Sequence, residues 1–209
     1  MIDLILDDCM NVMKDYEDNH FDLAIVDPPY GIAQLTGMET SNNRGKLNQS
    51  RIFGKQSHKF KKWDNPPNEE YFIELFRVSK NQIIWGGNYF ELPKYRHPIV
   101  WDKCQPWKNY SQVEIAWSSF NRPASIFKFD NRTGDKIHPT QKPIKLYEWL
   151  LSDYAEEGQK ILDTHLGSGS IAVACHYFGV DLVGIEIDEE YYNSAKERIN
   201  LLTKQETLF

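Results

Sequence analysis

Residues 23–30, Leu-Ala-Ile-Val-Asp-Pro-Pro-Tyr, are four apolar residues followed by an acid, two prolines and a tyrosine. The four apolar residues predict a short buried strand. The two prolines end it, because neither has an N–H group to continue a ladder. The strand tip then carries the Asp27 carboxylate, the carbonyls of Pro28 and Pro29, and the Tyr30 ring. These fixed acceptors and this ring suit an exocyclic amine on a flat heterocycle. The alternative is an ordinary turn with an exposed tyrosine.

Length and composition bound the class of protein. A chain of 209 residues with 41% hydrophobic residues predicts one soluble domain over 1–209. It has no apolar run of about 18 residues, and its first residues lack the basic region of a signal peptide, so we expect no membrane partner. Three cysteines far apart form neither a zinc spacing nor a disulfide framework. We therefore expect no metal and a cytoplasmic location.

Strand and helix patterns alternate along the chain. Helices are predicted at 9–16, from 68, at 144–154, 170–179 and 189–202. Strands are predicted at 3–6, 21–26, 82–85, 98–101, 113–117, 125–129, 160–163 and 181–185. This alternation indicates an α/β protein with a mainly parallel sheet.

A glycine loop follows the strand at 160–163. Residues 163–172, Asp-Thr-His-Leu-Gly-Ser-Gly-Ser-Ile-Ala, place Gly167, Gly169 and Ala172 in a G-x-G-x-x-A spacing at the start of a helix. Such a loop lets a ligand approach the backbone at the positive end of a helix. Glu186 ends the next strand, where an acid can accept from ribose hydroxyls. The pattern predicts a cofactor that contains a nucleoside.

Asp163 favours S-adenosylmethionine over a dinucleotide. A carboxylate before the glycines would repel a pyrophosphate, whereas it suits the amino group of a methionine moiety. The alternative role of Asp163 is to cap the helix.

The segment at about 33–66 is polar, lacks a sustained period and is basic despite the net charge of −6 of the whole chain. It is a candidate arm for nucleic-acid phosphates, and the alternative is a solvated loop. Its predicted DNA-binding residues are Arg44, Lys46, Arg51, Lys55, Lys59, Lys61 and Lys62.

Several motifs in this order resemble the amino-methyltransferases, and most closely the bacterial and phage DNA adenine-N6 methyltransferases whose catalytic motif precedes the cofactor motif. They are Asp-Pro-Pro-Tyr-Gly at 27–31, Ile-Ile-Trp-Gly-Gly-Asn-Tyr-Phe at 83–90, Trp-Asp-Lys at 101–103, His-Pro-Thr-Gln-Lys-Pro at 138–143 and the glycine loop. The resemblance covers nearly the whole chain. It implies a Rossmann-like methyltransferase fold, circularly permuted, with seven strands and helices on both faces.

The resemblance also implies which residues bind the cofactor. Asp8 and Cys9 would lie by the adenine ring, and Glu186, Ile187 and Asp188 by the ribose. Lys142 would meet the cofactor carboxylate. The remaining predicted cofactor residues are Asp27, His138, Thr140, Asp163, Leu166, Gly167, Ser168, Gly169 and Ser170. Cys9 and His138 also fit purely structural roles.

The implied reaction transfers the methyl group of S-adenosylmethionine to the N6 amine of a flipped adenine in DNA, leaving S-adenosylhomocysteine. Asp27 and the Pro28 carbonyl would accept the two amine hydrogens, and Tyr30 would stack on the base. Cytosine N4 is the nearest alternative target, although related cytosine enzymes more often begin this motif with Ser. RNA and a glutamine amide are further alternatives.

The chain is shorter than the larger members of that family, which carry a long recognition region before the segment at 138–143. Readout of the DNA sequence would then fall to the basic segment, and a homodimer would enlarge a small interface. Protection of a genome against a nuclease and other genome modification both stay open as roles.

Overall fold

Strands and helices alternate in the computed structural model, which describes residues 1–31, 65–107, 111–130 and 141–204. The strands are β1 (Ile2–Leu6), β2 (Phe21–Val26), β3 (Ser79–Trp85), β4 (Ile99–Asp102), β5 (Val113–Ser118), β6 (Ser125–Lys128), β7 (Lys160–Asp163) and β8 (Asp181–Glu186). The helices are α1 (Cys9–Lys14), α2 (Glu69–Val78), α3 (Ile144–Tyr154), α4 (Ser170–Phe178) and α5 (Glu189–Thr203), with a 3-10 turn at Gly87–Tyr89. No helix within these ranges is long and apolar enough to cross a membrane. The predicted α/β class is confirmed.

The strands form one sheet in the order β1-β8-β7-β2-β3-β5-β4-β6. All neighbours pair in parallel except β5, which is antiparallel to both β3 and β4. The predicted, mainly parallel sheet is therefore confirmed. The described sheet has eight strands, however, where the family resemblance implied seven. The eighth strand is the short β6, which adds to the outer edge of β4 and leaves its Ile126 side chain 57% exposed.

Helices cover both faces of the sheet, because side chains of successive strand residues point in opposite directions. On β2, Leu23 and Ile25 join one apolar cluster with residues of α3, α4 and α5. Ala24 and Val26 join a second cluster with residues of α1 and α2. Since both faces of this part of β2 are buried, residues 23–26 are a continuous apolar run rather than an alternating one.

Some strands that are neighbours in the sheet come from distant parts of the chain. Strand β2, which ends just before Asp27, pairs in parallel with β7, which ends just before the glycine loop, through Leu23↔Ile161 and Ala24↔Leu162. The first strand of the chain lies beside the last, with Leu6 opposite Glu186. The motif that comes first in the chain and the loop that comes late are thus neighbours in space.

This topology brings polar residues together at one edge of the sheet, which we call the carboxyl edge. Seven parallel strands end there, and the antiparallel β5 starts there. Ligands of open α/β sheets bind at this edge, outside the carboxyl ends of the strands.

Candidate functional site

Acidic side chains line the carboxyl edge from β1 to β4. They lie at or within two residues of a strand end and come from six of the eight strands. In the order of the sheet they are Asp8, Glu186, Asp163, Asp27, Glu114 and Asp102. Two lysines, Lys142 and Lys103, lie beside Asp27 and Glu114. The edge therefore has an acidic half, from β1 to β7, and a half from β2 to β4 in which Asp27 and Glu114 pair with lysines.

The tip of β2 holds Asp27 in a defined position. Pro28 is buried behind it, and the Asp27 side chain is 18% exposed. One carboxylate oxygen, Oδ1, accepts a hydrogen bond from the Tyr30 hydroxyl at 2.6 Å. Burial, and then the Asp27 charge, raise the pKa of Tyr30 well above its ordinary value, so its hydroxyl stays protonated and donates. Each Asp27 oxygen retains a second lone pair for a further donor.

The ammonium group of Lys142 lies between two carboxylates. Its Nζ is 2.5 Å from Asp27 Oδ2 and 3.1 Å from Glu114 Oε2, and its side chain is only 3% exposed. The other oxygen of Glu114 pairs with Lys103 Nζ. The four groups thus alternate in sign, from Asp27 through Lys142 and Glu114 to Lys103, and no charge in the row is left without a neighbour of opposite sign.

Burial and pairing act in opposite directions on this row. Burial disfavours the charged form of Lys142, but Asp27 and Glu114 outweigh it and hold the pKa of Lys142 above its ordinary value. Burial likewise disfavours the charged form of Glu114, but Lys142 and Lys103 hold its pKa below the ordinary value. Both groups are therefore charged at neutral pH.

The Tyr30 ring is enclosed by neighbouring residues. Gly86, with φ of +70°, lies so close that a Cβ atom there would be 2.2 Å from the ring. The Tyr89 ring stacks on Tyr30 with 5.1 Å between centroids and 19° between planes, and the Phe90 ring meets it edge-on. Tyr89 is 45% exposed. The solvent-facing ring of this stack is therefore that of Tyr89.

The glycine loop is fixed by hydrogen bonds from β8 and α5 and by the backbone angle of Gly169. The Leu166 N–H donates to the Ile185 carbonyl of β8 at 2.8 Å. Gly169, with φ of +69°, turns the chain into α4. The Arg198 guanidinium of α5 donates to the Ser168 carbonyl at 2.8 Å. Because these anchors lie on different elements, the loop has a single backbone path at the start of α4.

Asp163 is a buried carboxyl group, 2% exposed, at the end of β7. It accepts one hydrogen bond, from the His165 N–H at 3.0 Å, and within the described residues it forms no ion pair. Burial raises the pKa of Asp163 to about 8, and the charges of Asp27 and Glu186 add to that rise. A cation that binds beside Asp163 would favour its ionised form. The group is therefore suited to a cationic ligand.

Glu186 ties the glycine loop to β8. One of its oxygens accepts from the Gly167 N–H at 2.9 Å, and the other accepts from the Asp188 N–H at 3.0 Å. Burial raises the pKa of Glu186, although these two donors oppose the rise. Asp188 in turn caps α5 by accepting from two N–H groups. The next side chain after Glu186, Ile187, is 67% exposed and offers apolar surface beside the carboxylate.

Asp8 and Cys9 lie at the end of β1, next to β8. The Asp8 side chain is exposed and caps α1 through the Met10 N–H at 2.8 Å. The backbone N–H of Asp7 donates to the Glu186 carbonyl at 3.2 Å, which joins the two strand ends. Burial raises the pKa of Cys9 to about 12, with a further rise from the Asp8 charge. The Cys9 thiol therefore stays protonated and packs as a small apolar group.

The structure brings together the described residues that the sequence predicted for the site. They lie at the carboxyl edge and are Asp8, Cys9, Asp27, Pro28, Pro29, Tyr30, Lys142, Asp163, Leu166, Gly167, Ser168, Gly169, Ser170, Glu186, Ile187 and Asp188. Lys142 is already engaged by Asp27 and Glu114, so its predicted contact with a cofactor carboxylate stays a prediction. His138, Thr140 and the seven basic residues predicted to bind DNA lie outside the described residues.

Three residues of the site were missed at the level of sequence. Glu114 lies within an alternating strand pattern, Val113-Glu114-Ile115-Ala116-Trp117, and resembles an ordinary solvent-facing position. Lys103 and Tyr89 lie in motifs that carry the family resemblance but had no role assigned. The Trp-Asp-Lys motif, which follows a strand, was the one available signal that Lys103 lies at the carboxyl edge.

The family comparison matches residues 95–197, about half of the chain, to the N6_N4_Mtase model, described as DNA methylase. A relative over nearly the whole chain is the type II methyltransferase M.HpaI of Haemophilus parainfluenzae. It is 25% identical, over 94% of this chain and 74% of that protein.

Solved methyltransferase structures share the fold. The M1.HpyAVI–SAM complex matches with a TM-score of 0.61 and 21% identity, over 96% of this chain and 100% of that one. The PvuII DNA methyltransferase, which is cytosine-N4-specific, matches with a TM-score of 0.61 and 12% identity, over 98% of this chain and 92% of that one. The predicted methyltransferase fold is therefore confirmed.

We predict that Gly86→Ala destabilises the protein more than Gly158→Ala. Both glycines have positive φ, +70° and +82°, so both substitutions carry the left-handed backbone cost of about 1–2 kcal/mol. Only Gly86→Ala adds a collision, because a Cβ there meets the Tyr30 ring, whereas nothing lies within 4 Å of one at Gly158. We expect an additional loss of roughly 1–3 kcal/mol in urea unfolding. Equal losses for the two variants would contradict the enclosed position of Tyr30.

We also predict that Asp163→Asn stabilises the protein at alkaline pH. With a pKa of about 8 in the folded state against roughly 4 in the unfolded chain, the folded protein binds more protons between these values. Folding stability contributed by this group is therefore lost as pH rises through that window. Asparagine cannot ionise, yet it can still accept from the His165 N–H. In unfolding measurements, the stability advantage of the variant over wild type should be larger at pH 9 than at pH 5. At 1.36 kcal/mol per pKa unit, the difference is on the order of 4 kcal/mol. A difference that does not depend on pH would contradict this.

Proposed function

We propose that this chain is an amino-methyltransferase of the DNA methylase group and that it methylates the exocyclic N6 amine of adenine in DNA, with S-adenosylmethionine as methyl donor. The observation that carries the proposal is the Asp27 carboxylate, fixed at the tip of β2 between Tyr30 and Lys142 and adjacent to the acidic half of the carboxyl edge. One half of the edge suits a cationic cofactor, and the other offers acceptors to an amine.

The residues of the acidic half fit the proposed cofactor. Asp163 is a buried carboxyl group without an ion-pair partner among the described residues, which suits a ligand with an ammonium and a sulfonium group. Glu186 retains lone pairs for ribose hydroxyls after its two backbone hydrogen bonds. Exposed Leu6 and Ile187 supply apolar surface for an adenine ring near Asp8. When bound, S-adenosylmethionine supplies a methyl group activated by its positive sulfur, and S-adenosylhomocysteine is left.

Asp27 would act on the amine through hydrogen bonding. The exocyclic amine of adenine is a weak nucleophile, because its lone pair is delocalised into the ring. Asp27 and the Pro28 carbonyl would accept the two amine hydrogens, which favours a pyramidal nitrogen with its lone pair directed at the methyl group. Both acceptors are fixed before the substrate arrives, so little reorganisation is needed.

An aromatic platform would hold the base after it leaves the duplex. Tyr30 anchors the platform, because its hydroxyl is bonded to Asp27 and its ring rests on Gly86. Tyr89, stacked on Tyr30 and 45% exposed, is the ring of this pair that more readily meets an incoming base. The proposed role of Tyr30 is thereby shared with Tyr89.

Binding to DNA would use the basic segment at about 33–66, with its seven lysines and arginines, to contact phosphates. A homodimer would enlarge this interface. These two parts of the proposal rest on the sequence. Together with the name of its relative M.HpaI, a type II methyltransferase, they support a role in marking DNA.

Cytosine N4 is the second candidate target. The chemistry is the same for its exocyclic amine, the matching family model covers N6 and N4 methylation by its name, and a cytosine-N4-specific enzyme shares the fold. Asp27 at the first position of the catalytic motif is the residue that favours adenine.

We predict that the protein transfers labelled methyl groups from S-adenosylmethionine to unmethylated duplex DNA of mixed sequence. Digestion to nucleosides and mass analysis should give N6-methyldeoxyadenosine. N4-methyldeoxycytidine would change the base and keep the mechanism, and no methylated nucleoside would contradict the proposal. In the same assay, Asp27→Asn should lower the rate about 100-fold or more, because an amide is a weaker acceptor. Asp22→Asn is the control, because Asp22 also pairs with a lysine, Lys80, but lies at the other end of β2. It should stay within about threefold of wild type.

A further inference from the structure

We propose that Glu114 is a second ion-pair partner for Lys142. Glu114 neutralises the buried ammonium group of Lys142 when the target amine forms a hydrogen bond with Asp27. The inference deepens the proposed function and rests on it. It assigns Glu114, which lies on β5 and pairs with Lys142 and Lys103, a positioning role in methyl transfer.

The geometry provides two partners for one buried charge. Lys142 Nζ is closer to Asp27 Oδ2, at 2.5 Å, than to Glu114 Oε2, at 3.1 Å. The difference is 0.6 Å, so a shift of that order exchanges the nearer partner without moving the lysine into solvent. The Lys142 side chain is 3% exposed, and Trp85 lies beside it with its ring centroid 5.3 Å from Nζ.

Substrate binding creates the need for the second partner. An amine N–H that forms a hydrogen bond with Asp27 competes with Lys142 for the negative charge of the same carboxylate. A buried ammonium group that lost its partner would be strongly destabilised, because water cannot replace the lost contact. With Glu114 in place, Lys142 stays paired as it moves away from Asp27. Asp27 then becomes a better acceptor for the amine at the moment it is needed.

Lys103 completes the arrangement from the other side. It pairs with the second oxygen of Glu114, so the Glu114 carboxylate is itself neutralised and held towards Lys142. Lys103 is 26% exposed and reaches solvent, which makes it less dependent on the pair than Lys142. The inner pair should therefore matter for the reaction more than the outer one.

The test compares Glu114→Gln with Glu148→Gln in single-turnover methyl transfer to the DNA that the wild-type protein methylates. Glutamine keeps the size of the side chain and removes its charge, so among the described residues Lys142 is left with the Asp27 carboxylate. Glu148 also pairs with a lysine, Lys145 at 2.7 Å, but on the exposed surface of α3. We expect the rate of Glu114→Gln to fall about 10- to 100-fold, whereas Glu148→Gln should lower it less than about threefold.

A purely structural role would also weaken the binding of cofactor and DNA. In Glu114→Gln, by contrast, we expect the Kd for S-adenosylmethionine, by calorimetry, and the KM for DNA to stay within about threefold of wild type while kcat falls. Glu114→Asp, which restores the charge, should recover part of the lost rate.

Three results would overturn the inference, and they are distinguishable. A Glu114→Gln rate equal to wild type, or a loss of cofactor binding that accounts for the whole loss of rate, would overturn it and leave the proposed function intact. A wild-type protein that methylates no DNA would overturn the proposed function, and the inference with it.

Discussion

A buried ammonium group that needs a carboxylate on each side is the interaction on which the candidate site depends. Lys142 precedes α3, Asp27 follows β2, and Glu114 lies near the start of β5, so one charge joins three separate parts of the fold. Removing one partner of a buried ion pair costs roughly 3–5 kcal/mol. The positions of these three elements are therefore coupled, and the Asp27 carboxylate is held where β2 delivers it.

The two halves of the carboxyl edge differ in how their charges are compensated. In the half from β2 to β4, Asp27 and Glu114 alternate with Lys142 and Lys103, so this half can receive a neutral amine without gaining net charge. In the half from β1 to β7, Asp163 and Glu186 are stabilised by backbone N–H groups, and within the described residues they have no ion-pair partner. A cationic donor fits the second half, and its neutral target fits the first.

Local sequence patterns predicted the elements that bear the chemistry. The apolar run before Asp27, the prolines after it and the glycine loop after β7 each have a local physical cause, and the structure places them as neighbours. A solved protein with the same fold is a complex with SAM, and S-adenosylmethionine as the cofactor of this chain is part of the proposal. The circular permutation was predicted from the order of the motifs, because the catalytic motif precedes the glycine loop in the chain. The resemblance implied that the strands before these two motifs are neighbours in the sheet.

Tertiary placement explains what the sequence left open. Glu114 reaches the carboxyl edge because β5 runs antiparallel between β3 and β4, and no local pattern encodes that direction. The pairing of Lys142 with Asp27 joins residues far apart in the chain. Seven strands were expected from the resemblance, whereas the segment patterns themselves contained eight, and the short edge strand β6 accounts for the difference. The role of Tyr89 follows from a ring stack that spacing alone does not reveal.

The most direct test of the central claim is the ionisation of Lys142, followed by NMR of protein labelled with ¹³C at lysine Cε. The Lys142 signal is assigned by its loss in Lys142→Met. Pairing with Asp27 and Glu114 outweighs burial, so the pKa of Lys142 should lie above its ordinary value, and the group should stay charged at every pH at which the exposed lysines are charged. Glu114→Gln should lower that pKa. A Lys142 side chain that loses its proton between pH 6 and 9, before the exposed lysines, would show that burial dominates and would contradict the account.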